Sequence, residues 1–589
     1  MLLFLVLAWL ILQALAPRLH ALLNRPSSPF TLRISPLSVH LDTTALNSLP
    51  AAVLARVPRL HRHKDAHAQQ GRRFGAFWDA GAVLCLGGMA VAQVVLVVAA
   101  WRAAAVLWMT TGRQALPNAP AAGLVKRAED ASSPSAPQDG LLLRPLIPSL
   151  SSLPLVVLAL TTSQSFHELG HALAAASEDI PLFSTGLHLY LLVLPTFYVA
   201  LPSSSSGGAD AALTDLRIAA AGVWHNLLLA ATTWAISDGG VGLSRSALLG
   251  IGLLQETEEG VWVTDVALKS PLAPHLPRGT LITHLDDYEL DASSSATAAS
   301  TVELWTNFLL SRSEAAHDPY TSLGWCLPSD SFFPESEPAQ AACCASLGQA
   351  TAPRTADAAE SHPPELCFSV PGPALQACLD PLPLLSPSSA SSPPARCLDA
   401  SSCAAHAGTV CARISERERV VRIGVRRAAD GGEEEERATV LWKGERAAVA
   451  RQVTVTSLTP RYWFVPLGLE LTLERFYLAV TALSLSHAFF NLLPLPHLDG
   501  SHLLASFLSA LSPSLPINRA RPSSAPAADA GLLGRAIVRL RKVGVLRRAA
   551  EERELTERWA RRWTAAVGAV VVGLTLVVEV RGWLGAGQR

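Results

Sequence analysis

The chain has 589 residues, 50% of them hydrophobic and 16% charged, with a mean hydropathy of +0.29. That is too apolar for an ordinary soluble protein and too polar for one buried in lipid throughout, so membrane spans plus a soluble module are expected. A formal net charge of −1 offers no electrostatic footprint for nucleic acid, which is set aside as a partner.

Six stretches are apolar enough for the roughly 20 helical residues a bilayer requires, at about 1–17, 76–101, 150–174, 213–236, 467–489 and 563–581. The first ends Ala14-Leu15-Ala16 and reads either as a span or as a cleaved signal peptide, with Pro17 counting against cleavage. Residues 1–112 therefore form an N-terminal membrane region with a polar loop, and 113–149 a Pro/Ala/Ser linker without periodicity. Residues 150–254 form the next membrane segment. Within it, 181–201 is apolar but broken by Gly186 and Pro195, which suits a re-entrant or membrane-edge hairpin, with His188 as a packing residue.

Inside the third apolar stretch lies His167-Glu168-Leu169-Gly170-His171. On a helix, positions i and i+4 share a face, so both imidazoles can reach one Zn²⁺ while Glu168 is placed to take a proton from water. This is the core of a metalloprotease, set in a segment where ionisable groups are costly and by default functional. A zinc centre of this kind needs a further protein ligand. The candidate is Asp499, in Asn491-Leu-Leu-Pro-Leu-Pro-His-Leu-Asp-Gly500, where Pro494 and Pro496 interrupt the helix and Gly500 permits close backbone approach. His497 competes for the ligand role or serves beside it. The polar pair His225-Asn226 in the fourth stretch either orients a zinc ligand, binds substrate, or hydrogen-bonds between helices. His487 and His502 read as interface or rim residues.

From Glu256 the pattern is that of a small soluble α+β domain, with strands predicted near Gly260, Leu281, Val420 and Ala438 and an amphipathic helix over 300–311. The order resembles a PDZ domain over 255–315 and 413–460, with Gly279-Thr280 in place of the usual Gly-Asp pair. Asp430–Glu436 reads as a solvated turn. Between the two halves, 316–412 carries eight of the nine cysteines: Cys326, Cys343, Cys344, Cys367, Cys378, Cys397, Cys403 and Cys411. An even number confined to one segment points to disulfides and a lumenal location, ahead of a second zinc site that lacks any C-x-x-C pair. With that segment lumenal, the basic loops at about 24–75 (Arg56, Arg59, Arg62, Lys64, Arg72, Arg73) and 512–562 fall in the cytosol, as the positive-inside tendency asks. Residues 461–511 return to the membrane with the Leu-Asp-Gly motif, and 563–589 hold the last span and tail.

The combination of HExxH in one span, N-x-x-P-x-x-x-L-D-G in a later one and a PDZ-like module between them resembles the site-2 protease family of intramembrane metalloproteases. Gly222-Val-Trp-His-Asn226 and the cysteine-rich insertion are similar to its eukaryotic branch. The resemblance implies a mainly α, polytopic helix bundle of about six spans with an inserted lumenal PDZ-like domain. It also implies Zn²⁺ held by His167, His171 and Asp499, Glu168 activating water, and Asn491 assisting substrate or the developing oxyanion. It further implies residence in Golgi or ER membranes and, as partners besides membrane lipid, single-span transcription factor precursors. The competing classes are a catalytically inactive scaffold of the same fold and a metal or proton transporter, which would explain intramembrane His and Asp but not the HExxH glutamate.

Overall fold

The computed structural model describes residues 2–24, 28–35, 38–56, 66–112, 152–190, 194–202, 209–237, 242–267, 270–291, 300–310, 323–334, 344, 365–370, 375–381, 384, 394–405, 407–415, 418–428, 435–512 and 531–586. The linker 113–149, Cys343, residues 430–434 of the expected turn at 430–436, the basic residues Arg59, Arg62 and Lys64, and 513–530 lie outside them, while Glu435 and Glu436 of that turn open a strand. The chain folds as two compact units, Met1–Leu243 with Leu473–Arg589, and Ser244–Thr472.

The first unit begins with α1 (Leu2–Leu23), β1 (Phe30–Ile34), β2 (Ser38–Thr43), α2 (Leu49–Arg56), α3 (Ala66–Gly112), α4 (Leu153–Ser177), β3 (Ser184–Tyr190), β4 (Leu194–Ala200) and α5 (Ala209–Ile236). The expected hairpin at 181–201 is β3–β4. It extends into a four-stranded antiparallel sheet ordered β1-β2-β3-β4, whose first two strands come from the supposed loop at 24–75. Alternation along Phe30–Thr43 is short and interrupted at Pro36, so the strand signal there is weak, and what makes these strands is pairing with β3 about 150 residues later. His188 packs across that pairing against His40, ring to ring at 3.8 Å.

The second unit contains α6 (Leu243–Gly250), β5 (Leu254–Glu256), β6 (Val261–Val266), β7 (Leu281–Leu285), β8 (Tyr288–Glu289), α7 (Thr301–Leu310), β9 (Gly324–Pro328), β10 (Phe333–Pro334), β11 (Leu366–Val370), β12 (Leu375–Leu379), β13 (Arg396–Cys397), β14 (Thr409–Ile414), β15 (Val420–Ala428), β16 (Glu435–Lys443), α8 (Arg446–Gln452), β17 (Val453–Thr456) and β18 (Leu458–Pro460). One sheet runs β16-β15-β7-β6-β17, with β8 on β7. Val263, Ile282, Leu285, Ile423 and the α7 residue Phe308 fill its core, so alternating β-formers and one amphipathic helix do close on each other. The cysteine-rich stretch, for which no strands were predicted, forms a second sheet, β10-β12-β11-β14-β9-β13. Its bridges join Cys326 to Cys403, Cys344 to Cys367 and Cys397 to Cys411, and Cys378 is also disulfide-bonded. The grouping of Cys326, Cys397 and Cys403 is thus made by two bridges, and sulfurs so bonded are not thiolate ligands. Trp325 of this sheet lies under the guanidinium groups of Arg396 and Arg422, at 4.0 and 5.0 Å, and both arginines reach Asp287 in the β7–β8 turn. Burial works against the Asp287 charge, but the Arg422 hydrogen bond and the two guanidinium charges outweigh it and hold this carboxyl below the usual range.

The chain then returns through α9 (Leu469–Asn491), α10 (Asp499–Leu511), α11 (Leu532–Leu540), α12 (Gly544–Glu551) and α13 (Arg553–Ala586). Among the described residues two helical stretches are long and apolar enough to cross a bilayer, Gly75–Trp108 in α3 and Arg553–Val578 in α13. The other four predicted spans coincide with α1, α4, α5 and α9. Of these, α4, α5 and α9 turn polar side chains inward, including Ser163, His167, Asn226, Thr233 and Ser484, which lowers their apolarity. Paired hydroxyls join them: Ser484 to Ser163 at 3.2 Å and Thr233 to Thr481 at 2.8 Å. The shared core of α3, α5, α9, α10 and α11 includes Ala82, Ala220, Ala488, Leu503 and Leu533.

Candidate metal centre

Helix α4 starts beside Ser152 with Pro154 in its first turn, where a missing N–H costs nothing, and then runs without interruption to Ser177. Its buried positions Ser163, His167, Gly170, His171 and Ala174 recur at helical spacing and make one inward stripe. The facing stripe belongs to α5. A Cβ on Gly222 would stand 2.4 Å from His171 Nε2 and 2.7 Å from His167 Nε2, so only glycine leaves room for both imidazoles. Gly170 does the converse, since a Cβ there would lie 2.5 Å from the Ala221 carbonyl. Close helix approach through small residues is how helices associate where the hydrophobic effect offers little.

The polar pair on α5 divides. His225 turns toward α3 and stacks on Trp78 at 5.4 Å, and Trp224 packs over Gly81 of the same helix. Asn226 turns the other way, its amide 3.2 Å from His167 Nδ1. Asn226 Oδ1 has no hydrogen-bond partner among the described residues, and turning the amide over places that oxygen on the Nδ1–H, an exchange of two nearly indistinguishable atoms. His171 Nδ1 lies 2.8 Å from the Ile218 carbonyl, which can only accept, so this nitrogen carries the proton. Both rings therefore present Nε2 as a lone pair.

The third group arrives from the kink. Helix α9 ends at Asn491, Pro494 and Pro496 prevent its continuation, and His497 adopts a left-handed φ of 68°. Helix α10 then begins at Asp499, where the amide dipoles favour a carboxylate. A Cβ on Gly500 would be 2.4 Å from the Leu493 carbonyl, so the turn closes only over glycine. Asp499 Oδ2 lies 2.8 Å from His167 Nε2 and 3.3 Å from His171 Nε2, and the two imidazole nitrogens are 3.2 Å apart. His497 is exposed and outside this cluster.

Three acceptor atoms facing one another without a proton between them repel unless a cation joins them, and among the described residues Asp499 Oδ2 has no hydrogen-bond donor. Ligand bonds of about 2.0–2.1 Å in a tetrahedron put ligand atoms about 3.3 Å apart, so the donor set and spacing fit Zn²⁺. Glu168, next to the first histidine, is half-buried near the cluster, with the backbone of Val199 in β4 beside its carboxyl. Asn491 closes α9 and is buried, with no side-chain hydrogen bond among the described residues. His487, expected at an interface or rim, stacks on His167 at 4.5 Å, and His502 is exposed. The Ile218 carbonyl went unforeseen in the sequence because a backbone acceptor has no residue signature.

The model of peptidase family M50 matches residues 155–526, well over half of the chain and inclusive of His167, His171 and Asp499. Among curated relatives, a membrane-bound transcription factor site-2 protease homolog of Arabidopsis thaliana is 33% identical over 147 residues. That match covers 25% of this chain and spans only 27% of the relative. With a family match of that extent and that relative beside it, the chain belongs to peptidase family M50, as a member of the site-2 protease family.

Proposed function

We propose that this protein is an intramembrane zinc metalloendopeptidase that cleaves single-span, membrane-anchored transcription factor precursors within or near their transmembrane helix and releases the cytosolic part. The observation that carries this reading is the convergence of His167 Nε2, His171 Nε2 and Asp499 Oδ2 in a buried site with Glu168 beside it. Zn²⁺ held there supplies a Lewis acid that polarises the scissile carbonyl and lowers the pKa of water toward about 7. Glu168 takes the water proton and hands it to the leaving amine. Ile218 and, through its amide oxygen, Asn226 fix the two imidazole tautomers. Asn491 assists the substrate or the developing oxyanion.

In this reading the six apolar helices span endomembranes of Golgi or ER, the sheet around Val263 and Phe308 is a PDZ-like domain, and the disulfide-bonded insertion is lumenal. The decisive experiment co-expresses the chain with a tagged single-span substrate, with and without Glu168→Gln, and measures zinc in the purified protein. About one zinc per chain and cleavage lost in the variant are expected. Cleavage that survives Glu168→Gln overturns the peptidase mechanism, and wild-type protein that binds zinc without cleaving a panel of single-span substrates points to the inactive scaffold.

A further inference from the structure

We propose that the outward face of α11 and α12 is a docking surface for an anionic bilayer leaflet. Residues 531–550 contain six Lys or Arg and no Asp or Glu. Arg535, Arg539, Lys542, Arg547 and Arg548 are exposed, and only Arg547 among them has an acidic partner among the described residues, Glu551 at 3.4 Å. Apolar side chains stand among these charges: Leu532, Val538, Val543 and Val545 are 48%, 46%, 45% and 78% exposed. A merely solvated helix looks different, and the first turns of α13 show how. There Arg553 pairs with Glu557 and Arg558 with Glu554, and the charges cancel locally.

The layer is held in place from below. Leu533, Ile537 and Ala550 are buried in the core shared with α3, α5 and α10. Asp79 of α3, fully buried, accepts from the Leu533 backbone N–H at 3.2 Å and from Arg217 Nε at 2.8 Å. Arg541 grips the Ala510 carbonyl at the end of α10, and Arg553 reaches Ser509 Oγ. The inward side of the layer is therefore fully engaged, and the outward side is basic and apolar together. Helix α13 starts two residues after α12 ends and contains a stretch long and apolar enough to cross a bilayer, so this face leads directly into a candidate span. Basic residues near a membrane surface gain from anionic headgroups while interleaved apolar side chains enter the headgroup boundary. The same layer clamps the helix that begins at Asp499.

The test is hydrogen exchange of the full-length protein in nanodiscs of phosphatidylcholine alone and of a mixture with about one-third phosphatidylserine. Amides of 531–550 should exchange about tenfold or more slowly in the anionic discs, with the difference removed by high salt. The variant Arg535→Gln/Arg539→Gln/Lys542→Gln/Arg548→Gln, which keeps good helix formers, should exchange equally in both discs, with α5 amides unchanged as the check on folding. Equal exchange of the wild type in the two discs overturns the proposal, as does a lipid-dependent slowing that the quadruple variant retains. Equal exchange in both discs combined with slowing by added polyglutamate assigns the face to an acidic protein segment instead.

Discussion

The helices around the candidate metal centre and the disulfide-bonded sheet of the second unit cohere by different physics. Around the centre the contacts are made by small residues and polar pairs: Gly170 against Ala221, Gly222 against two imidazoles, Ser163 to Ser484, Thr233 to Thr481. In the second unit they are made by large apolar side chains such as Phe308, Phe368 and Trp325, with bridges closing long loops. In lipid, burying an apolar side chain gains little over leaving it exposed, so cohesion comes from close approach and internal hydrogen bonds. In water, burial and loop closure carry the load.

Changes at the candidate metal ligands should have the largest effects. His167→Ala or His171→Ala should lose bound zinc, because two remaining ligands seldom hold it against a chelator. Glu168→Gln should retain zinc and abolish cleavage. Zinc analysis beside the cleavage assay separates the two outcomes, and loss of zinc from the glutamine variant would make Glu168 a ligand. Gly222→Ala comes next: its methyl would occupy the space of the imidazole nitrogens, so zinc should fall while helix content by circular dichroism persists. Normal zinc in that variant would show that α5 can withdraw, against the close-approach account.

Reduction should act on the other half of the comparison. Losing a native disulfide costs about 2–5 kcal/mol, so thiol reductants should open the sheet of 324–414 to protease while zinc at His167, His171 and Asp499 remains. Loss of zinc on reduction would break the separation between the two kinds of cohesion. A smaller effect is expected for Asn226→Ala, about 10- to 100-fold in zinc affinity, since it removes only the oxygen that orients His167. The smallest belongs to Gly279→Ala. Gly279 has a φ of 88° and open space around it, so strain alone should cost about 1 kcal/mol, read as a small shift in thermal unfolding.

Much of the centre was legible in the sequence. The spacing of His167 and His171 puts two imidazoles on one helix face whatever surrounds it, and an acid at Asp499 between prolines and glycine is conspicuous in an apolar stretch. The strands of the second unit near Val261, Leu281, Val420 and Ala438 were legible too, because alternation and turn residues are local signals. The sheet of 324–414 was not. Its strands are short, its register depends on partners far along the chain, and eight cysteines allow 105 connectivities, among which spacing does not choose. Strands β1 and β2 were missed for the same reason.

What the sequence by itself determined about this protein is therefore what local geometry carries: apolar helices interrupted by a second compact unit, a helix face with two histidines one turn apart, and a broken helix offering an acid. The tertiary structure alone decided which polar groups face which. His225 and Asn226 are neighbours on one helix, yet about 100° of rotation per residue sends the first to Trp78 and the second to His167. Asp499 lies hundreds of residues from His171, and only the packing of α4, α5 and α10 brings its oxygen to 3.3 Å from the imidazole. Periodicity fixes angles within an element, whereas a site made of three elements depends on how closely their backbones approach, and here that approach is set by the missing side chains of Gly170, Gly222 and Gly500.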